Sequence, residues 1–354
     1  MVIGARNLKN MKFYLADKEL EIAKSYKYLG LYFSNTGSFA KAREHIANQA
    51  KKAMHLLLMR INNIDIPIDL QLKLFDSTIL PILTYGCEIF GFENLSALEQ
   101  VHNSFLRKIT KTRTSTPMYM LYAELGRYPI EITIKTKMIS FWNKIITQKN
   151  TKLSSLCYEA MLYSAYSNKF KWMNHICDIL NNTGFSYVWL QQRSITSKNI
   201  AINIKQTLIN QFFQKWSSDL TNSSKGRNYS LFKKDINFET YLKIVPRNQG
   251  LKILKFRTAN HKLPIETGRW KNKHKEYNNR KCVNCFQDLG DEFHTLLVCK
   301  RFKNIREKLI DPYFYTRPNV IKFNHLLNTN DEKALKNLFK LIQYILKITN
   351  KQYN

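Results

Sequence analysis

Apolar and polar residues alternate at the start of the chain. Met11 to Leu15 and Glu19 to Ala23 flank a polar turn, Ala16-Asp17-Lys18, and Tyr26 to Ser34 is aromatic and apolar around Gly30. Period-two runs bounded by turn residues predict strands. Here they predict a hairpin plus a third strand, ending at Asn35-Thr36-Gly37. From Phe39 the period becomes helical, with Ile46, Ala50, Ala53, Leu57 and Ile61 recurring at three and four. Pro67 opens a second helix bearing Leu70, Leu74, Phe75 and Ile79, which Pro81 is expected to kink. Ser96 and Glu99 read as a capping box for a third helix striped with Leu98, Val101, Phe105 and Ile109. Met118 to Leu125 reads as a short helix stopped by Gly126.

The middle of the chain continues the helical period. Ile132, Met138, Phe141, Trp142 and Ile145 share one helix, Leu156, Ala160 and Tyr163 another, and Trp172, Ile176 and Leu180 a third. Ile202 to Trp216 forms a long helix with Leu208, Phe212 and Trp216 inward. Large aromatics at this spacing read as core rather than as a stacking platform. The Ser/Asn/Lys/Gly stretch Thr221 to Asn228 is the best linker candidate. A last helix is expected to start at Thr329 with Glu332 as its box partner, turning Leu335, Leu338, Phe339, Ile342 and Leu346 inward. The fold class is therefore mainly α. A β-hairpin and third strand occupy residues 1–35, a helical bundle 36–130, a helical connector 131–247 and a basic C-terminal domain 248–354.

Composition adds a charge. The chain has 354 residues, 44% of them hydrophobic, which is globular and long enough for two or three domains. Lys and Arg number 56 against 26 Asp and Glu, a formal net charge of +30. Such a surface repels itself unless a polyanion neutralises it. Nucleic acid is the leading partner, with an anionic membrane surface behind it. The plain alternative is a solvated basic surface that reflects Lys- and Asn-rich residue usage. The N-terminus lacks the apolar core of a signal peptide. The longest apolar run, Thr78 to Phe92, is interrupted by Pro81, Gly86 and Glu88, so no membrane span is expected. Cys87, Cys157 and Cys177 read as buried core thiols. No secreted disulfide framework is visible, which implies a reducing, intracellular setting, nucleus and cytoplasm.

The remaining cysteines form a pattern. Cys282, Cys285, His294 and Cys299 follow C-x2-C-x8-H-x4-C. Three thiols and an imidazole so spaced can close a tetrahedral zinc shell made wholly of protein donors, a structural site. Gly290 is expected to let the chain turn back, and Cys299 to open the next helix, whose N-terminus favours a thiolate. Reduced cysteines without metal are the bland reading, and a Cys282–Cys285 disulfide leaves the histidine without a role. Upstream, the stretch Leu251 to Lys281 crowds Lys252, Lys255, Arg257, His261, Lys262, Arg269, Lys271, Lys273, Lys275, Arg280 and Lys281 around Trp270, with Arg257, Lys262, Arg269, Lys271 and Lys273 as the contact candidates, and Lys108, Lys111 and Arg113 sit at and after the third helix. Basic side chains interleaved with an aromatic suit phosphate neutralisation plus stacking on an unpaired base. A solvated rim with Trp270 packed on the metal fold is the alternative.

Several stretches together resemble one family. Tyr26-Lys27-Tyr28-Leu29-Gly30 looks like the strand after the primer grip in LINE-type (non-LTR) retrotransposon reverse transcriptases. Pro81 to Gly91 is similar to their thumb helix segment, and Thr116-Pro117 with Glu124-Leu125-Gly126-Arg127-Tyr128-Pro129 to the segment just beyond. The Cys282–Cys299 module, with Asp291-Glu292-Phe293-His294 inside it and Arg301, Phe302 and Arg306 after it, resembles their C-terminal zinc-binding domain. The resemblance implies a thumb-like bundle, bound zinc, and binding of RNA, RNA–DNA hybrid and target DNA, with other retroelement polyprotein segments as further partners. The family polymerises DNA on RNA through an Asp-Asp pair in its palm, and this sequence contains no Asp-Asp. The palm and fingers are expected upstream of Met1, and the family's endonuclease is not expected in this chain either, so it is not expected to be an enzyme by itself. The competing reading is a zinc-stabilised protein-interaction module whose charge is incidental.

Overall fold

The computed structural model describes residues 1–3, 12–62, 64–148, 152–163, 170–192 and 200–352, and of Lys271 the backbone only. Met11, the expected first residue of the first strand, lies outside the described residues. The described chain is mainly helical, with four short strands near its start and a Cys/His cluster near its end. It divides into two compact units, each assembled from three separated segments. Unit 1 comprises Met1–Arg60, Leu74–His102 and Pro129–Gln211, and unit 2 comprises Ile61–Lys73, Asn103–Tyr128 and Phe212–Asn354.

In unit 1, β1 (Phe13–Leu15) pairs antiparallel with β2 (Lys18–Leu20), and β3 (Ser25–Tyr28) with β4 (Leu31–Ser34). The expected third strand over Tyr26–Ser34 is thus two strands folded on each other. Leu29 and Gly30 make the turn, with φ of 45° and 86°. Positive φ at both central residues is what gives a two-residue turn the twist of its strands. Tyr85 Oη holds the turn by donating to Leu29 O at 2.5 Å. The helix Ala40–Asn62 buries Ala42, Ile46, Ala50, Met54, Leu58 and Ile61, leaving Ala53 and Leu57 at the margin of the stripe.

Two local signals act differently from expectation. Pro81 begins a helix rather than kinking one: the helix Ile68–Thr78 ends, and Leu80–Leu83 carries Pro81 in its first turn, where its missing N–H leaves nothing unbonded. Glu99 does not box with Ser96. Its Oε2 accepts the Ile130 N–H at 2.8 Å and so caps the helix Ile130–Thr147, while Asn94 Oδ1 accepts from Ser96 N–H at 2.8 Å. That helix buries Ile134, Met138, Ile139 and Trp142 against Cys87–Phe90. Of the three thiols read as core, Cys87 is buried, Cys177 is half-buried and Cys157 is exposed, because its helix turns that position outward.

Unit 2 is organised around a buried carboxylate, Glu124, at the end of the helix Met118–Glu124. Arg257 Nε lies 3.1 Å from both Glu124 oxygens, and Arg257 Nη2 lies 3.1 Å from Glu239. Tyr241 Oη donates to Glu124 at 2.5 Å, and Lys233 pairs with Glu239. The helix Glu332–Lys351 seals this core with Leu335, Leu338, Leu341, Ile342 and Ile345 and packs on the helix Arg247–Arg257. Its cap is Asp331, whose Oδ2 accepts from Ala334 N–H at 2.6 Å, rather than the expected Thr329–Glu332 box. The expected linker Thr221 to Asn228 is not slack. It ends the helix Ile200–Asn222 and opens Gly226–Phe232, with Lys225 Nζ donating to Ser115 O at 2.7 Å and Asn228 Nδ2 to Glu292 at 2.6 Å. Among the described residues no helix is long and apolar enough to cross a membrane.

Candidate metal centre

Cys282 and Cys285 lie on a tight knuckle. Lys281 and Leu289 form an isolated antiparallel bridge, Cys282 N–H donates to Asp288 O at 2.8 Å, and Phe286 N–H returns to Cys282 O at 2.8 Å. Phe286 closes the knuckle at φ 59° and is exposed. The backbone N–H groups of Asn284 and Cys285 point at Cys282 Sγ. Gly290 does not turn the chain by unusual φ. Its role is room: a Cβ there would meet Pro264 Cγ at 2.5 Å. The closeness lets Gly290 O accept from Ile265 N–H at 3.2 Å, which docks the knuckle on the short helix Pro264–Thr267.

The other two ligands come from one irregular helical turn. Asp291 Oδ1 accepts from His294 N–H at 2.8 Å, and the backbone then widens into a π-helix over His294–Val298. Widened turns of this kind are frequent at functional sites. Cys299 follows directly and, as expected, heads the next helix, which opens as the 3-10 turn Lys300–Phe302 and continues as Lys303–Leu309; the Arg301 N–H points at its sulfur. Arg306 clasps the turn from outside, donating to Leu296 O at 2.6 Å and Cys299 O at 2.7 Å. Burial holds its guanidinium below the ordinary value.

The four donors converge, each ligand atom within 4.8 Å of every other. Cys282 Sγ lies 3.9 Å from Cys299 Sγ, and Cys285 Sγ lies 3.2 Å from His294 Nε2. A tetrahedron with arms of about 2.3 Å has edges of about 3.8 Å, so the donor set fits an ion held by four protein atoms. The nearness of Cys299 lowers the Cys282 thiol, and the nearness of Cys282 together with burial raises the Cys299 thiol. His294 Nδ1 faces away from the cluster, 3.3 Å from Asp288 Oδ2 though not aligned for a hydrogen bond. A carboxylate behind a ligand imidazole fixes which nitrogen faces the metal. Beneath the cluster, His261 Nε2 lies 2.7 Å from Glu292 Oε1. Burial alone would raise the Glu292 carboxyl, but His261 and Asn228 hold it below its ordinary value.

The basic candidates separate into two kinds. Arg257 is a correction: fully committed to Glu124, Glu239 and Leu327 O, its guanidinium offers nothing to a phosphate. Arg269 is largely committed too, bonding Glu266 Oε1 at 2.9 Å and the Ser224 hydroxyl at 2.6 Å. The Lys271 side chain lies outside the described residues. Lys108, Lys111, Arg113, Lys262 and Lys273 are exposed. Two stretches more than a hundred residues apart in sequence then meet. The Arg113 guanidinium lies 5.6 Å over the Trp270 ring, which is 38% exposed. Burial, then the charges of Lys111, Arg113 and Lys252, hold the Lys255 ammonium below its ordinary value. Lys252 and Lys255 belong to the basic stretch Leu251 to Lys281 that the sequence marks out, but the sequence does not pair them with the 111–113 loop. Their neighbours on the helix carried no sign that the 111–113 loop packs beside them. No protein-family model, curated protein or solved structure matches this chain.

Proposed function

We propose that unit 2 is a zinc-stabilised nucleic-acid-binding element that grips RNA or an RNA–DNA hybrid through phosphates, largely without reading sequence. The observation that carries this reading is the meeting of Lys111, Arg113, Lys252 and Lys255 beside the half-exposed Trp270. Four like charges brought together by folding favour a polyanion. Zinc is the ion that three thiolates and one imidazole suit best. Bound there, it would cross-link the knuckle to the π-helix and leave no open position for substrate. The chain would then act as a binding segment rather than a catalyst, in the nucleus and cytoplasm. Its order of features supports kinship with the thumb and C-terminal segment of a LINE-type reverse transcriptase, with target DNA and other retroelement polyprotein segments as further partners.

The test is salt. If about five phosphates are contacted, log K against log salt should fall with a slope near −3.5 for a single strand. Replacing Lys111, Arg113 and Lys255 by Ala should flatten it by about two units. A binding constant indifferent to salt would point to an apolar protein interface instead. Metal analysis should find one zinc per chain, lost in Cys285→Ser.

A further inference from the structure

We propose that unit 1 carries a phosphate-binding site of its own, formed by Lys27, Lys41 and His45 around the ring of Tyr32, and that it takes the backbone of a nucleic-acid strand. Register sets the site up. Lys27 on β3 lies directly opposite Tyr32 on β4, and opposed residues share a face of the hairpin. Lys27 Nζ is 5.6 Å from the Tyr32 ring centroid and Lys41 Nζ is 4.7 Å from it. Lys41 also donates to Ser25 Oγ at 2.8 Å, which ties the first turn of the helix Ala40–Asn62 to the start of β3. His45, one turn further along, meets the same ring edge-on, with centroids 5.0 Å apart. Lys52, two turns beyond that, still acts on His45 together with Lys27.

Among the described residues no ion pair holds Lys27, Lys41 or Lys52, although Glu44 lies on the same helix. Like charges gathered on one face without a counter-charge repel, and an anion placed among them relieves the repulsion. The ring does not compete for the ligand as a stacking surface, because it is half-buried and two ammonium groups already lie over it. It orients the amines instead, which lowers the ordering cost of binding. Such a site reads charge and not base.

The experiment titrates the full chain with a fluorescent oligouridine across a salt series. Lys27→Gln with Lys41→Gln should weaken binding on the order of tenfold at low salt and reduce the slope by about 1.4. Lys27→Arg with Lys41→Arg should restore both. The two lysines are exposed, and an unchanged melting midpoint checks that the fold is kept. The Lys111, Arg113 and Lys255 variant is titrated alongside. If it loses binding while the Lys27/Lys41 pair changes neither affinity nor slope, the unit 1 site is overturned and the unit 2 reading stands. If the Lys27/Lys41 pair weakens binding and the unit 2 variant does not, the outcome is reversed. Weakened binding to phosphatidylserine vesicles or polyglutamate, with oligouridine binding intact, overturns the nucleic-acid assignment of this site.

Discussion

Arg306 makes no contact with a metal, yet it holds two of the four ligands in place. Its guanidinium donates to the carbonyls of Leu296 and Cys299, at the end of the turn that presents His294. Groups behind the ligands typically govern metal affinity by 10- to 100-fold. Arg306→Met keeps the volume and removes both bonds. It should therefore lower zinc affinity by about that factor in competition with a chromophoric chelator, while stoichiometry at saturation stays at one. A variant that holds zinc as tightly as the parent would make Arg306 a core residue only. The cluster of Cys282, Cys285, His294 and Cys299 was legible in the sequence, because its geometry is local and set by their spacing. Arg306 figured only in a family resemblance, and Asp288 carried no signal, since what each supports depends on the backbone path of the π-helix and the knuckle. Gly290 was legible as necessary but for another reason: it makes room for Pro264 and does not supply a turn.

Helices were legible from their stripes, and their ends were not. Periodicity records which face is buried, and Ile46, Ala50 and Ile61 are indeed buried. Caps are single hydrogen bonds, and several nearby residues compete for each. The final helix shows the competition. Thr329, Asp331 and Glu332 all suit an N-terminus, and Asp331 takes the Ala334 N–H. Asp331→Ala should cost about 1 kcal/mol of unfolding free energy, by the usual loss of a cap. Thr329→Ala, which removes only a 3.3 Å bond from Asp331 N–H, should cost a few tenths. Urea unfolding of the two variants decides it, and equal losses would restore the Thr329 cap. Glu99 illustrates the same limit over a longer range, since nothing near it in sequence announces that it caps the helix beginning at Ile130. The pattern hides the β3–β4 hairpin because Leu29 occupies a turn position that Asn or Asp usually fills.

At the scale of the molecule, the question is what a charge of +30 does to the fold. Part of it is structural. Arg257 and Lys233 neutralise Glu124 and Glu239 inside unit 2. Removing one partner of such a buried set should cost about 3–5 kcal/mol, so Arg257→Leu should fail to fold stably, whereas changes at Lys111 or Arg113 should leave stability within about 0.5 kcal/mol. No sequence pattern separates these arginines, because burial comes from segments 133 residues apart meeting in space. Arg280 and Arg306 are buried as well, and much of the remaining charge is exposed and mutually repulsive. Exposed pairs such as Lys135–Glu131, Lys303–Glu307 and Lys336–Glu332 oppose it weakly, each contributing about 0–1 kcal/mol. Salt screens both effects, with a Debye length falling from about 10 Å at 0.1 M to about 3 Å at 1 M. Net repulsion should win, so the melting midpoint should rise as salt is raised from low to moderate concentration. A single-stranded RNA added at low salt should raise it further, by preferential binding to the folded state. Adding salt to that complex should then lower the midpoint, since phosphate contacts weaken faster than repulsion is relieved. A midpoint that falls with salt in the free protein would mean that ion pairs dominate and that the basic surface places no demand for an anion on this fold.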